Sequence, residues 1–138
     1  MTADPTARAY TLGREVEGAF DDVLATVRAG LAEQGFGVIT EIDMAATLHA
    51  KLGVEVPAQV ILGACRPQLA HQALQADPSV ATMLPCNVVV RDAGGGRTAV
   101  EAFDPDTMVS MAGADSALAV VATDARGRLV ALLDALDG

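Results

Sequence analysis

The sequence predicts an α+β domain, a five-stranded curved sheet with helices packed mainly on one face. Two kinds of periodicity and one composition figure carry that prediction. Apolar residues recur at helical spacing in some segments, and short apolar or alternating runs fall between them. The resulting order is β-α-β-α-β-α-β-β-α, with a Gly-rich turn joining the last two strands. Hydrophobic residues make up 51% of the 138, and a chain of that length buries roughly 68–70% of its unfolded surface, enough for one core without staples.

The elements follow in chain order. Residues 1–9 are expected to be a loose tail, and 10–138 a single domain. The first strand covers 10–16, with Tyr10, Leu12 and Val16 on one side. Arg14 interrupts that alternation and suggests a sheet edge. Residues 18–34 form the clearest helix, because Phe20, Val23, Leu24, Val27 and Leu31 share one face. Asp21 and Asp22 sit in its first turn, where the positive dipole end favours them, and Gly35 ends it at C′. A strand follows over 36–42. Asp43 caps a short helix ending at Leu52, with Met44, Leu48 and Leu52 as its stripe, and Gly53 stops it.

Residues 56–64 are nearly all apolar, as a central strand requires. A helix spans 66–76 on Leu69, Ala70, Ala73 and Leu74. Asp77-Pro78 opens a short helical turn reaching Met83. Pro85 starts the next strand, where its missing N–H does least harm. Residues 87–92 and 97–103 make a hairpin around glycines 94–96. Asp104-Pro105 opens a short helix over Met108 and Met111, and 116–136 form the last helix.

Strand parity sets what the uncovered face carries. Strict alternation puts Val38, Ile42, Val60, Leu62, Val88 and Val90 toward the helices. Ile39, Ile61, Val89 and Phe103 then lie opposite, with Thr11, Glu41, Asn87 and Glu101. A half-apolar face on a globular domain marks an interface or a ligand groove, so a homodimer or a small-molecule site is expected there.

Composition excludes several classes. The formal net charge is -9, from 18 acidic and 9 basic residues, and the basic residues are scattered singly. Nucleic-acid binding rests on clustered cations, with stacking aromatics for single strands, and aromatics are only 3%. The same charge disfavours anionic membranes. No signal peptide or membrane span is legible, so the expected compartment is the cytoplasm, with Cys65 and Cys86 reduced. The sequence has no GxSxG elbow, P-loop, dinucleotide fingerprint or HExxH pair. No cofactor and no dedicated metal site are predicted.

Chemistry concentrates at Cys65, which follows a buried strand and opens a helix. Unpaired N–H groups and the dipole there favour a thiolate, and Arg66 adds charge. Cys65 is thus the candidate nucleophile, weighed against a plain buried residue. Cys86 starts a strand with core parity. Cys65, Arg66, Cys86 and Asn87 together form the expected ligand site, for a small carboxylate or phosphate held at a helix N-terminus. The alternative is a thiol-dependent enzyme, or a sulfur or soft-metal carrier using Cys65 and Cys86. Met44, Met83, Met108 or Met111 would supply thioether ligands for Cu(I), although helix-stripe Met more often fills a core. His49 and His71 fall off their apolar stripes. Asp104 and Asp106 flank Pro105 and suit either a helix cap or a metal.

Gly63-Ala64-Cys65-Arg66-Pro67 and Leu84-Pro85-Cys86-Asn87-Val88-Val89-Val90 carry a family resemblance. Supporting segments are Gly35-Phe36-Gly37-Val38-Ile39-Thr40-Glu41-Ile42, Thr47-Leu48, Lys51-Leu52-Gly53-Val54, Leu69-Ala70, Ala73-Leu74, and Asp104-Pro105 with Met108. Over about residues 10–136 the chain resembles the domain-of-unknown-function 302 family. The resemblance implies a compact α+β fold with a helix-backed curved sheet, and a dimer; it implies no activity. Such proteins commonly have Asn where this chain has Arg66.

Overall fold

The computed structural model describes residues 8–113 and 116–136; the predicted tail over 1–9 lies mostly outside them. Five strands alternate with helices: β1 (Thr11–Glu17), α1 (Phe20–Glu33), β2 (Gly37–Asp43), α2 (Met44–Leu52), β3 (Gln59–Cys65) and α3 (Pro67–Ala76). A 3-10 turn (Pro78–Met83), β4 (Cys86–Gly94), β5 (Arg97–Phe103), α4 (Asp106–Ala112) and α5 (Ser116–Asp134) complete the chain. The sheet is fully antiparallel, in the order β1-β5-β4-β3-β2. No helix among the described residues is long and apolar enough to cross a membrane.

The helix signals act as local physics requires. Val23, Val27 and Leu31 bury one face of α1. Gly35 adopts φ +83°, a conformation a Cβ would strain, and the Phe36 N–H returns to the Leu31 carbonyl at 2.9 Å, closing the helix end. The Asp43 carboxylate accepts from the Ala46 N–H at 2.9 Å and caps α2.

Two apolar clusters make the core. The larger lies between the sheet and α1 with the C-terminal half of α5, and holds Leu31, Leu62, Val88, Val100 and Leu129. The smaller gathers Leu69, Val80, Met108, Leu118 and Val121 from α3, the 3-10 turn, α4 and the first half of α5. Among the described residues the other sheet face has no such cover. There α2 packs mainly against β2 and β3, and it buries no residue completely. Leu52, expected on its packed stripe, is 69% exposed.

Strict alternation fails in β2. Val38 pairs with Ala64 but Thr40 pairs with Gly63, so Ile39 is an extra, bulged residue. From there on every side chain changes sides. Glu41 lies opposite Leu62, on the helix face, and forms an ion pair with Arg28 of α1. Ile42 lies opposite Ile61 on the uncovered face and is 43% exposed. The expected positions of Glu41 and Ile42 are thus exchanged. Val38 keeps its side, yet the edge position leaves it 36% exposed. β1 is the other edge, as Arg14 suggested. Its guanidinium donates to the Leu133 carbonyl at the end of α5, 3.3 Å away, where a cation suits the dipole.

Candidate functional site

The register separates the expected site residues. Cys86 pairs with Ala64 and points into the helix-backed core, whereas Asn87, next in the chain, pairs with Gly63 and faces the uncovered side. Two distinct features result: an inner cavity shared by Cys65, Arg66 and Cys86, and an outer recess centred on Asn87.

The inner cavity lies where the two apolar clusters meet. Phe36 and Ala64 wall it from one cluster, and Leu69, Ala73, Met108 and Val121 from the other. Ala64, Ala70, Ala73 and Ala125 all border it, and their small side chains leave it unfilled. Its volume is about 30 Å³ and its wall is apolar. Multi-atom ligands occupy pockets of roughly 300–1,000 Å³, so the expected carboxylate or phosphate does not fit here. Space of this size suits one or two atoms.

The two cysteines are free. Cys86 is buried, and that burial, with Cys65 close by, pushes its thiol up to about 11. It is therefore protonated at neutral pH and is no nucleophile there. Cys65 is half-buried and ends β3 directly before α3, as the sequence placed it.

Arg66 is the N-cap of α3 but makes no capping bond. Its side chain crosses the Gly35 turn, where a Cβ would sit 3.0 Å from Nε. Nε is buried without a partner, and an orphaned donor costs about 1–3 kcal/mol. Asn at this position would relieve the orphan and supply a capping oxygen. We expect Arg66→Asn to raise unfolding free energy by about 1 kcal/mol. Urea denaturation measures it, and a destabilised variant would show that the guanidinium makes a needed contact.

The outer recess is larger. One lobe, about 300 Å³, is lined by Arg8, Tyr10, Thr11, Val89, Arg91 and Glu101. A second, about 250 Å³, is lined by Thr82, Met83, Pro85 and Met111. Asn87 and Phe103 belong to both. The Asn87 amide makes no side-chain bond to any described residue and is exposed. At the floor, the Arg8 backbone N–H donates to the Thr11 hydroxyl at 2.7 Å, which donates to Glu101 at 3.0 Å. Arg91 pairs with the same carboxylate. Glu101 thus has both its oxygens engaged.

Other expectations resolve simply. His49 and His71 are exposed. Arg126 lies against Asp104 at 3.2 Å and Asp106 at 3.6 Å, so a cation from the chain itself occupies that pair. The Asp104 carboxylate accepts from the Asp106 N–H at 3.0 Å, and Pro105 after it is already in the αR conformation, so Asp104 satisfies a donor at the opening of α4 as a capping carboxylate does. Among the described residues no group of three His, Cys, Asp or Glu gathers as a metal site would require. Tyr10 and Met111 were missed as recess walls. Both carry apolar periodicity in the sequence, yet they are 56% and 71% exposed.

Fold and recess together define a two-layer α+β domain with one helix-backed sheet face and a ligand-sized hollow on the other. The chain belongs to the family described as Domain of unknown function DUF302, whose model matches residues 12–136. It is similar to an uncharacterized conserved protein DUF302 from Bacillus stearothermophilus, known from a crystal structure. The identity is 30% and the TM-score 0.82, covering 92% of this chain and 98% of that one. No curated protein matches the sequence.

Proposed function

We propose that the chain is a small-ligand binding module whose ligand lies in the recess on the uncovered sheet face and carries a carboxylate. The observation behind this reading is the Asn87 amide. It is exposed, has no side-chain partner among the described residues, and borders both adjoining lobes of the recess. The Arg91 guanidinium lines the same lobe, and Phe103, Tyr10 and Met111 supply apolar walls. Such a mixture of mostly apolar wall and few polar groups suits a small organic acid. The free thiols suit a reducing compartment such as the cytoplasm.

Benzoate, an apolar ring bearing one carboxylate, is a suitable probe. Calorimetry should show saturable binding of benzoate to the wild-type chain. Asn87→Ala should weaken it about tenfold or more, the worth of one hydrogen bond to a charged group. Cys65→Ser, at a residue that lines neither lobe, should leave affinity unchanged. Equal affinity in the Asn87 variant, or loss in the Cys65 variant, would contradict the assignment.

A homodimer through the same face is a second reading, favoured by the exposure of Tyr10, Ile39, Ile42 and Met111. In a dimer the recess would be roofed by the partner. Light scattering on the calorimetry samples distinguishes the two, because a monomer at high concentration leaves the recess reading alone.

A further inference from the structure

We propose that the inner cavity is a binding site for one soft monovalent metal ion of the Cu(I) class, held by Cys65, Cys86 and Met108. The proposal is independent of the outer recess. Its basis is that three sulfur-bearing residues border one cavity, with the two thiols near enough for Cys65 to act electrostatically on Cys86. They come from three elements far apart in the chain: the end of β3, the start of β4 and the first turns of α4. The β3–β4 register pairs Ala64 with Cys86, which sets Cys65 one residue from the partner of the second thiol. Met108 is 2% exposed and reaches the cavity from the helical side.

Ligand chemistry selects the ion. Thiolate and thioether are soft donors that favour Cu(I), whereas Zn(II) sites require four ligands from Cys, His or carboxylate. No such set gathers among the described residues. The apolar wall disfavours hydrated or hard cations, which would lose their water shell without replacement oxygens. A volume of about 30 Å³ admits one ion and excludes a chelated complex. Each thiol that coordinates releases its proton to solvent as the sulfur–metal bond forms. Two thiolates around a monovalent ion leave one negative charge, and Arg66, which also lines the cavity, supplies the compensating cation.

Silver(I), which shares the ligand preference of Cu(I) without its redox chemistry, is the probe. Native mass spectrometry of reduced protein titrated with silver nitrate should show one ion retained per chain against a competing thioether chelator. Zinc chloride should leave no adduct. Loss of an outer-shell partner alone costs about 10- to 100-fold in metal affinity. Cys65→Ser and Cys86→Ala should therefore each weaken silver binding by at least that factor. Met108→Leu conserves core volume and should weaken it by about tenfold or more with an unchanged circular dichroism spectrum. That variant keeps the test valid should a cysteine variant misfold. Silver affinity unaltered by Met108→Leu would overturn the three-sulfur site, as would a wild-type chain that retains no ion.

Discussion

Leu62→Ala will lower the free energy of unfolding by about 2–5 kcal/mol, the range for emptying a fully buried leucine site. Leu62 is 0% exposed and belongs to the larger core cluster. It lies in β3 between Val88 of β4 and Glu41 of β2, beneath the helical layer. The cost has two parts, the lost transfer of the removed carbons from water and the cavity left behind. β3 is hydrogen-bonded on both sides and cannot move inward to fill it, which places the expected value above the lower bound. Urea denaturation with an unchanged slope measures the loss. A change under 1 kcal/mol would mean that the helical layer is not packed as described.

Gly63→Ala tests the opposite face. A Cβ there would stand 2.0 Å from the Thr40 hydroxyl oxygen and 2.9 Å from the Pro85 ring. Neither distance is compatible with van der Waals contact, so Thr40 must turn or the strands must separate. Overpacking of this kind costs typically 1–3 kcal/mol, partly offset because alanine restricts the unfolded chain more than glycine does. Thr40→Ala removes the nearer obstacle and leaves the proline. The double variant should regain part of the loss, giving a coupling of about 0.5–3 kcal/mol for residues in contact. Full wild-type stability in Gly63→Ala, or strict additivity in the double variant, would contradict the close approach. Gly63 pairs with Asn87, so its substitution should also disturb the outer recess, whereas Leu62→Ala should not.

The element order was legible because it depends on short-range signals. Helical spacing in α1, the capping carboxylate of Asp43, the positive φ at Gly35 and the glycines of the β4–β5 turn are local events, and each lies where the sequence placed it. The bulge at Ile39 was not legible. It inserts one residue by a change of backbone pairing, with no glycine to mark it, and it exchanges Glu41 and Ile42 between faces. The spatial arrangement of the candidate residues was legible only in part. Cys65, Arg66 and Cys86 do meet. Asn87 leaves them, because neighbouring strand residues point to opposite faces and each face has its own hollow. The volumes of those hollows depend on how α3, α4 and α5 settle over the strand ends. That is a matter of tertiary packing among alanines at positions 64, 70, 73 and 125, which no local pattern encodes. Met108 and Met111 show the same limit. One is sealed under α5 and the other stands 71% exposed beside the recess.

Chemical-shift mapping during a benzoate titration of isotope-labelled protein tests the recess most directly. The account predicts progressive shifts of the Asn87 side-chain amide and of the Phe103 and Tyr10 ring signals, with Ala70 and Ala73 beside the inner cavity unmoved. Shifts confined to residues around Cys65, or none at Asn87 at saturating benzoate, would contradict it.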